Sequence, residues 1–185
     1  MSSLNLELNE TLSKYSETFS SKIYSDENND HDILMDTFNI SPSIKRENRQ
    51  YWGRELGMCW QLLVNKVFEI NANDLYAPAL KINKDEPCDL IYDDYAIDTK
   101  YRIGSGDSGT LKKFKSYGQL LIQKNYKPLL LILREDNLPS AIKACYIGNW
   151  DVRMGQEAFD FIYDKTNFDL YQYLKNTNNT HFIDR

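Results

Sequence analysis

Pro87-Cys88-Asp89-Leu90-Ile91-Tyr92-Asp93-Asp94-Tyr95-Ala96-Ile97-Asp98-Thr99-Lys100-Tyr101-Arg102 is the stretch that decides how this chain folds. Residues 88–92 and 95–102 are short and apolar-rich, and Asp93-Asp94 between them reads as a turn, so the two runs form a β-hairpin. Side chains alternate faces along a strand, which puts Asp98 and Lys100 on the same side. The hairpin brings Asp89 back alongside them. Ile91, Ala96 and Ile97 imply that the hairpin is substantially buried, and two carboxylates plus an ammonium on such a face are costly without a task.

Upstream, residues 45–70 carry the best helical pattern in the chain. Trp52, Leu56, Cys59, Trp60, Leu63, Val67 and Ile70 recur at three- and four-residue steps and predict one apolar face, with Glu55 at its border and Glu69 further round the polar side. Residues 4–24 predict an amphipathic helix, 25–32 a polar loop, and Ser41-Pro42-Ser43 a helix start. Downstream, residues 104–109 predict a flexible loop. Ser108 or Thr110 then caps a helix running to Lys124, with Leu111, Phe114, Tyr117, Leu120 and Leu121 facing inward. The continuous apolar run 129–133 predicts a strand buried on both faces. A short helix over 141–144, a strand over 146–153 and helices over 157–164 and 168–174 complete the chain. This order predicts an α/β fold, a central mixed sheet flanked by helices.

The 185 residues are 42% hydrophobic and 26% charged, an ordinary globular composition with enough chain for a real core. No apolar run is long enough to span a bilayer, and the first residues lack a secretory signal, so a soluble, cytoplasmic protein without a membrane partner is expected. Three cysteines, none in C-x-x-C spacing, argue against a disulfide framework or a zinc knuckle. The two histidines, His31 and His181, leave almost no material for a histidine-based metal site or a Ser-His-Asp triad. The net charge of −5 is unevenly spread. Residues 1–40 carry −6, whereas residues 99–127 carry +6 through Lys100, Arg102, Lys112, Lys113, Lys115, Lys124 and Lys127 against Asp107. A local field of that size can attract a polyanion whatever the total, although a lysine cluster is also the usual dress of a solvated helix face.

Two carboxylates and a lysine converging on one spot suit phosphodiester hydrolysis. Mg²⁺ takes hard oxygen ligands, usually one or two carboxylates with several waters, and a neighbouring lysine can orient or deprotonate the attacking water and offset developing charge. On Asp89 and Asp98-Thr99-Lys100, with Glu55 on the preceding helix, the chain resembles the PD-(D/E)XK nuclease superfamily, which includes most type II restriction endonucleases. The resemblance spans roughly residues 45–135, where helix, motif-bearing hairpin, helix and further strand follow in the family's order. It departs in that Asp89 follows Pro87 by two positions instead of one, and in that the second acid is Asp where Glu is commoner.

The resemblance implies a restriction-endonuclease-like core in a single nuclease domain over residues 1–185. An acidic helical arm would cover 1–40, the catalytic core 45–135, and a strand and helices 136–185. Asp89 and Asp98 would ligate Mg²⁺, with Mn²⁺ as a substitute. Thr99 would add its carbonyl, Lys100 would activate water, and Glu55 would complete or support the metal site. The implied activity is cleavage of double-stranded DNA at a short palindromic site by a homodimer, with a cognate methyltransferase as genetic companion and no nucleotide cofactor. Residues 104–115 follow the motif strand directly, and there Ser105, Ser108, Lys112, Lys113 and Lys115 are expected to clamp phosphate together with a helix N-terminus. Tyr101, Arg102, Gln119 and Gln123 are candidates for further DNA contact. Two other readings stay open: a repair, recombination or structure-specific nuclease of the same fold, and a nucleic-acid-binding protein that keeps the fold without catalysis.

Overall fold

A computed structural model of the chain describes residues 3–20, 31–82, 85–104, 106–178, 181 and 183. Helix α1 spans Ser3–Ser20, and the remainder of the expected 4–24 helix, with 25–30 of the expected loop, lies outside the described residues. Every residue from Glu7 to Glu17 is exposed, so α1 buries no face of its own there. Helices α2 (Ile33–Phe38) and α3 (Pro42–Glu47) are short and capped by side chains. Asp32 accepts from the N–H groups of Leu34 and Met35, and Ser41 accepts from Ile44, the start anticipated at Ser41-Pro42. Asn48 caps a separate helix α4 (Arg49–Asn71), so the expected 45–70 helix begins four residues late.

A 3₁₀ turn (Asn73–Leu75) leads into β1 (Tyr76–Pro78), followed by β2 (Leu90–Tyr92) and β3 (Tyr95–Lys100). Helix α5 (Ser108–Gln123) connects β3 to β4 (Lys127–Ile132). Helix α6 (Pro139–Ile147) precedes β5 (Asp151–Met154), and α7 (Gln156–Thr166) and α8 (Leu170–Asn176) follow. The five strands form an open mixed sheet in chain order. β1, β2 and β3 are antiparallel, and β3, β4 and β5 are parallel. The β2–β3 turn is the predicted Asp93-Asp94, with Asp93 at φ 53°.

Helices cover both faces of the sheet. On one side Leu90, Ile97, Leu129 and Leu131 pack against Leu56, Trp60, Val64 and Phe68 of α4 and Phe159 and Ile162 of α7. On the other, Ile91, Ala96, Leu130 and Ile132 pack against Phe114 and Leu121 of α5 and Ala141 and Cys145 of α6. The face of α4 differs from the sequence expectation. The buried stripe is the four-residue row 56, 60, 64, 68, while Ile70 is 68% exposed and Trp52, Cys59, Leu63 and Val67 flank the stripe half-buried. Ridges of i±4 side chains pack into a neighbour's grooves, and the 3-and-4 alternation in sequence cannot show which row does so. The expected 146–153 strand is also corrected. Tyr146 and Ile147 end α6 exposed, and the chain reverses through Gly148 and Asn149 (φ 61°) before β5 begins.

That reversal sets the approach of α5 to α6. A Cβ on Gly118 would stand 1.9 Å from the carbonyl oxygen of Gly148, and the Trp150 indole N–H donates to the carbonyl of Phe114 one turn earlier (2.7 Å). Backbone, unlike a side-chain end, cannot swing away. Among the described residues no helix is long and apolar enough to cross a membrane. Gly118→Ala should destabilise the protein by about 2 kcal/mol or more, against the ~1 kcal/mol gain that helix propensity alone predicts. Gly53→Ala in α4, where nothing lies within 4 Å, should realise that gain. Thermal denaturation of the two variants beside the parent tests the packing, which is refuted if Gly118→Ala is neutral or stabilising.

Candidate active site

Asp89 is positioned by an irregularity in the hairpin. Leu90 is registered with Ile97, yet the Asp89 N–H also donates to the Ile97 carbonyl (2.8 Å), so two residues of one chain segment face one residue of β3. This is a β-bulge, and a bulge re-aims the side chain it carries. The Asp89 carboxylate reaches Thr99, whose N–H (2.7 Å) and Oγ (2.6 Å) both donate to Oδ2. Oδ1 accepts from Gln61 Nε2 of α4 at 2.7 Å. Gln61 was not among the sequence candidates. The only signal for it was a polar residue beside Trp60, and dozens of polar residues border apolar ones.

Asp98 and Lys100 share the α5 side of β3, as alternation requires, and their charged ends meet at 2.6 Å. Lys100 Nζ also donates to the Thr99 carbonyl (3.0 Å). Burial pushes the Asp98 carboxyl up to about 6, with the Lys100 ammonium opposing the shift and the Asp89 carboxylate adding to it. Burial pulls the Lys100 ammonium down, but Asp98 and Asp89 outweigh it, and the net direction is up. Lys100 is therefore held as a cation. The neighbouring thiols are inert, since burial pushes Cys88 up to about 11 and Cys145 to about 12.

Asp98 and Lys100 open into a cavity of about 190 Å³ whose other walls include Glu86, Thr110, Lys113, Phe114 and Tyr117. Roomier hollows of about 310 Å³ beside Asp32 and Arg134, about 500 Å³ beside Tyr95 and Tyr126, and about 600 Å³ beside Tyr51 and Trp52 contain none of this cluster. The donor set suits a hard divalent cation. One ammonium already bridges an Asp98 oxygen and the Thr99 carbonyl, so these two oxygens converge within reach of a single positive charge, with the Asp89 carboxylate adjacent. Among the described residues no group of three or more His, Cys, Asp or Glu side chains gathers to hold a metal, so the set is two carboxylates and a carbonyl.

Comparison of the chain with protein-family models, curated proteins and solved structures finds no match. The chemistry of the site therefore rests on its own geometry.

Several expected participants stand elsewhere. Glu55 is exposed and paired with Arg54 (2.8 Å). Six positions before Gln61 it lies about 240° round the helix and cannot face the same point. Glu69 pairs with Lys66. Tyr101 is buried on the opposite face from Lys100, where its hydroxyl bonds Asp32, Lys45 and Arg134, so it is not presented to a DNA backbone. Arg102 is engaged by the backbone (2.8 Å) and carboxylate (3.1 Å) of Asp136. Asp107, not Ser108 or Thr110, caps α5. Its carboxylate takes the Thr110 N–H (2.9 Å) and hydroxyl, which puts a negative charge at the helix end expected to receive phosphate. Ser108, Lys112, Lys113, Gln119 and Gln123 are exposed and Lys115 half-buried, with Lys113 alone of these on the cavity wall. Ser105 lies outside the described residues.

A carboxyl whose folded pKa lies above its unfolded value contributes stability that is present at low pH and lost as pH rises through the folded pKa. For Asp98 the window runs from the unfolded 3.8 to about 6. Asp98→Asn keeps the shape without the charge but leaves the Lys100 ammonium without its carboxylate, so the pH trend in chelator, not the absolute melting temperature, reads the shift. Between about pH 5 and pH 8 the variant should gain on the parent by about 1.5 kcal/mol, roughly 3–6 °C. Parallel melting curves across that range would contradict the burial of this carboxylate.

Proposed function

We propose that this protein is a divalent-cation-dependent deoxyribonuclease with a restriction-endonuclease-like core, acting as a type II restriction endonuclease. The observation that carries the reading is the contact of Asp98 and Lys100 on the central strand beside the Thr99-held carboxylate of Asp89, beneath a cavity walled by Lys113. The succession α4, antiparallel β1–β2–β3, α5, β4 supports it, because the resemblance seen in sequence implied the same order around the motif hairpin.

Asp89, Asp98 and the Thr99 carbonyl would hold the cation. When bound, Mg²⁺ or Mn²⁺ supplies Lewis-acid neutralisation of the phosphate and a more acidic water. Lys100, whose ammonium lies against Asp98 and the Thr99 carbonyl, would orient the attacking water and offset charge on the phosphate oxygens once the cation takes those two oxygens. Lys113, across the cavity, meets the phosphate backbone electrostatically. A palindromic site cut on both strands calls for two such centres, one from each copy of a symmetric dimer.

Incubation with phage DNA should give discrete fragments in Mg²⁺ or Mn²⁺ and none in chelator. Asp98→Ala and Lys100→Ala should each lower cleavage at least ~10²-fold. A ladder or smear would instead indicate a repair or structure-specific nuclease, and metal-independent binding without cutting a non-catalytic DNA-binding protein. Lys113→Ala should weaken DNA binding uniformly across sequences and reduce the slope of log affinity against log salt by about 1. Arg102→Ala should leave the slope unchanged, because Asp136 already neutralises that guanidinium. Salt titrations of binding to a labelled duplex measure both.

A further inference from the structure

Resting on the reading that Asp89 and Asp98 hold a divalent cation, we infer that Gln61 is a positioning residue that dictates which oxygen of Asp89 remains open to that cation. An ionised carboxylate offers about four lone-pair sites. Two on Oδ2 are filled by the N–H and hydroxyl of Thr99, and one on Oδ1 is filled by the Gln61 amide. Oδ1 thus carries one protein donor against two on Oδ2, and the Asp98 carboxyl lies within hydrogen-bonding reach of the same carboxylate. Only the amide N–H₂ of Gln61 can face a carboxylate oxygen, since its carbonyl would repel it.

The placement of this amide is built into the packing. Gln61 follows Trp60, whose fully buried indole N–H donates to the Leu131 carbonyl at 3.1 Å. Leu131 is the register partner of Thr99 on β3. One rung of the sheet thus holds both α4, which carries Gln61, and Thr99, which grips the other oxygen of Asp89. The carboxylate is fixed from two directions before any cation arrives. A neutral donor fits this place. It orients the carboxylate without placing a third negative charge beside Asp89 and Asp98, or a positive charge that would compete with a metal.

Partners that orient a metal-ligating carboxylate are worth about 10- to 100-fold in metal affinity. Mn²⁺ binding to the full chain, measured by calorimetry without DNA, reads this directly. Gln61→Ala and the volume-matched Gln61→Met should weaken Mn²⁺ binding by about 10- to 100-fold. Melting in chelator accompanies each variant, and Gln61→Met stands in should Gln61→Ala fail to fold. If Gln61 merely ties α4 to the hairpin, the Ala and Met variants will melt lower and bind Mn²⁺ as the parent does, which overturns the inference. If the parent binds no Mn²⁺, or Asp98→Ala binds it unchanged, the cation reading itself fails and this inference fails with it.

Discussion

Strand β3 is paired along both edges and covered by helices on both faces, yet it carries a carboxylate and an ammonium in contact at 2.6 Å. The carboxylate is costly alone at that depth, because an unpaired ion taken out of water costs several kcal/mol, and the ammonium, whose side chain is 37% exposed, offsets that cost. The pair must be kept together, and the surrounding structure does so. Alternation places Asp98 and Lys100 on one face, the cavity leaves the lysine end partly wetted, and Asp89 adds the second negative charge that keeps the ammonium protonated. A buried ion pair contributes little to stability compared with an apolar replacement. Its presence on the central strand is the observation on which the proposed function rests.

The rest of the fold can be followed outward from that strand. The bulge at Asp89 lets its carboxylate take the Thr99 N–H and hydroxyl while it stays beside Asp98. Trp60 fastens α4 to the adjoining strand at Leu131, and Gly118 and Gly148 let α5 and α6 meet backbone to backbone. That close contact draws Phe114 and Lys113 of α5 over the Asp98–Lys100 pair, so the cavity and its positive wall follow from the glycine contact.

On the other face of the same sheet end, Tyr101, Lys45, Arg134 and Asp32 form a second polar network, with Lys45 and Arg134 almost fully buried. Its members come from α3, the ends of β3 and β4, and the cap of α2, so it fastens the two short helices to the sheet. Asp136 extends it by binding both Arg134 and Arg102. Two residues adjacent to the motif strand thereby serve the fold, and the exposed Lys112 and Lys113 belong to α5.

From sequence alone, the hairpin, the buried strand β4, the long helices, the succession of elements and the shared face of Asp98 and Lys100 were all legible, because period-2 alternation and apolar runs are local properties. Parity also places Tyr101 opposite Lys100, but nothing along the chain showed that this side is buried, and Tyr101 was expected at DNA instead. Strand β1, the bulge at Asp89, the i±4 stripe of α4 and the reversal at Gly148 were not legible, because each depends on what packs or pairs against it. Gln61 and Glu55 show the difference most clearly. Both are polar residues on one helix and equal in any local reading, and only the docking of Trp60 on Leu131 turns the glutamine toward Asp89 and leaves the glutamate in solvent with Arg54. Chemistry carried by one strand can be read along the chain; chemistry completed by a neighbouring element depends on the rotation at which the two pack, and that angle belongs to the tertiary structure.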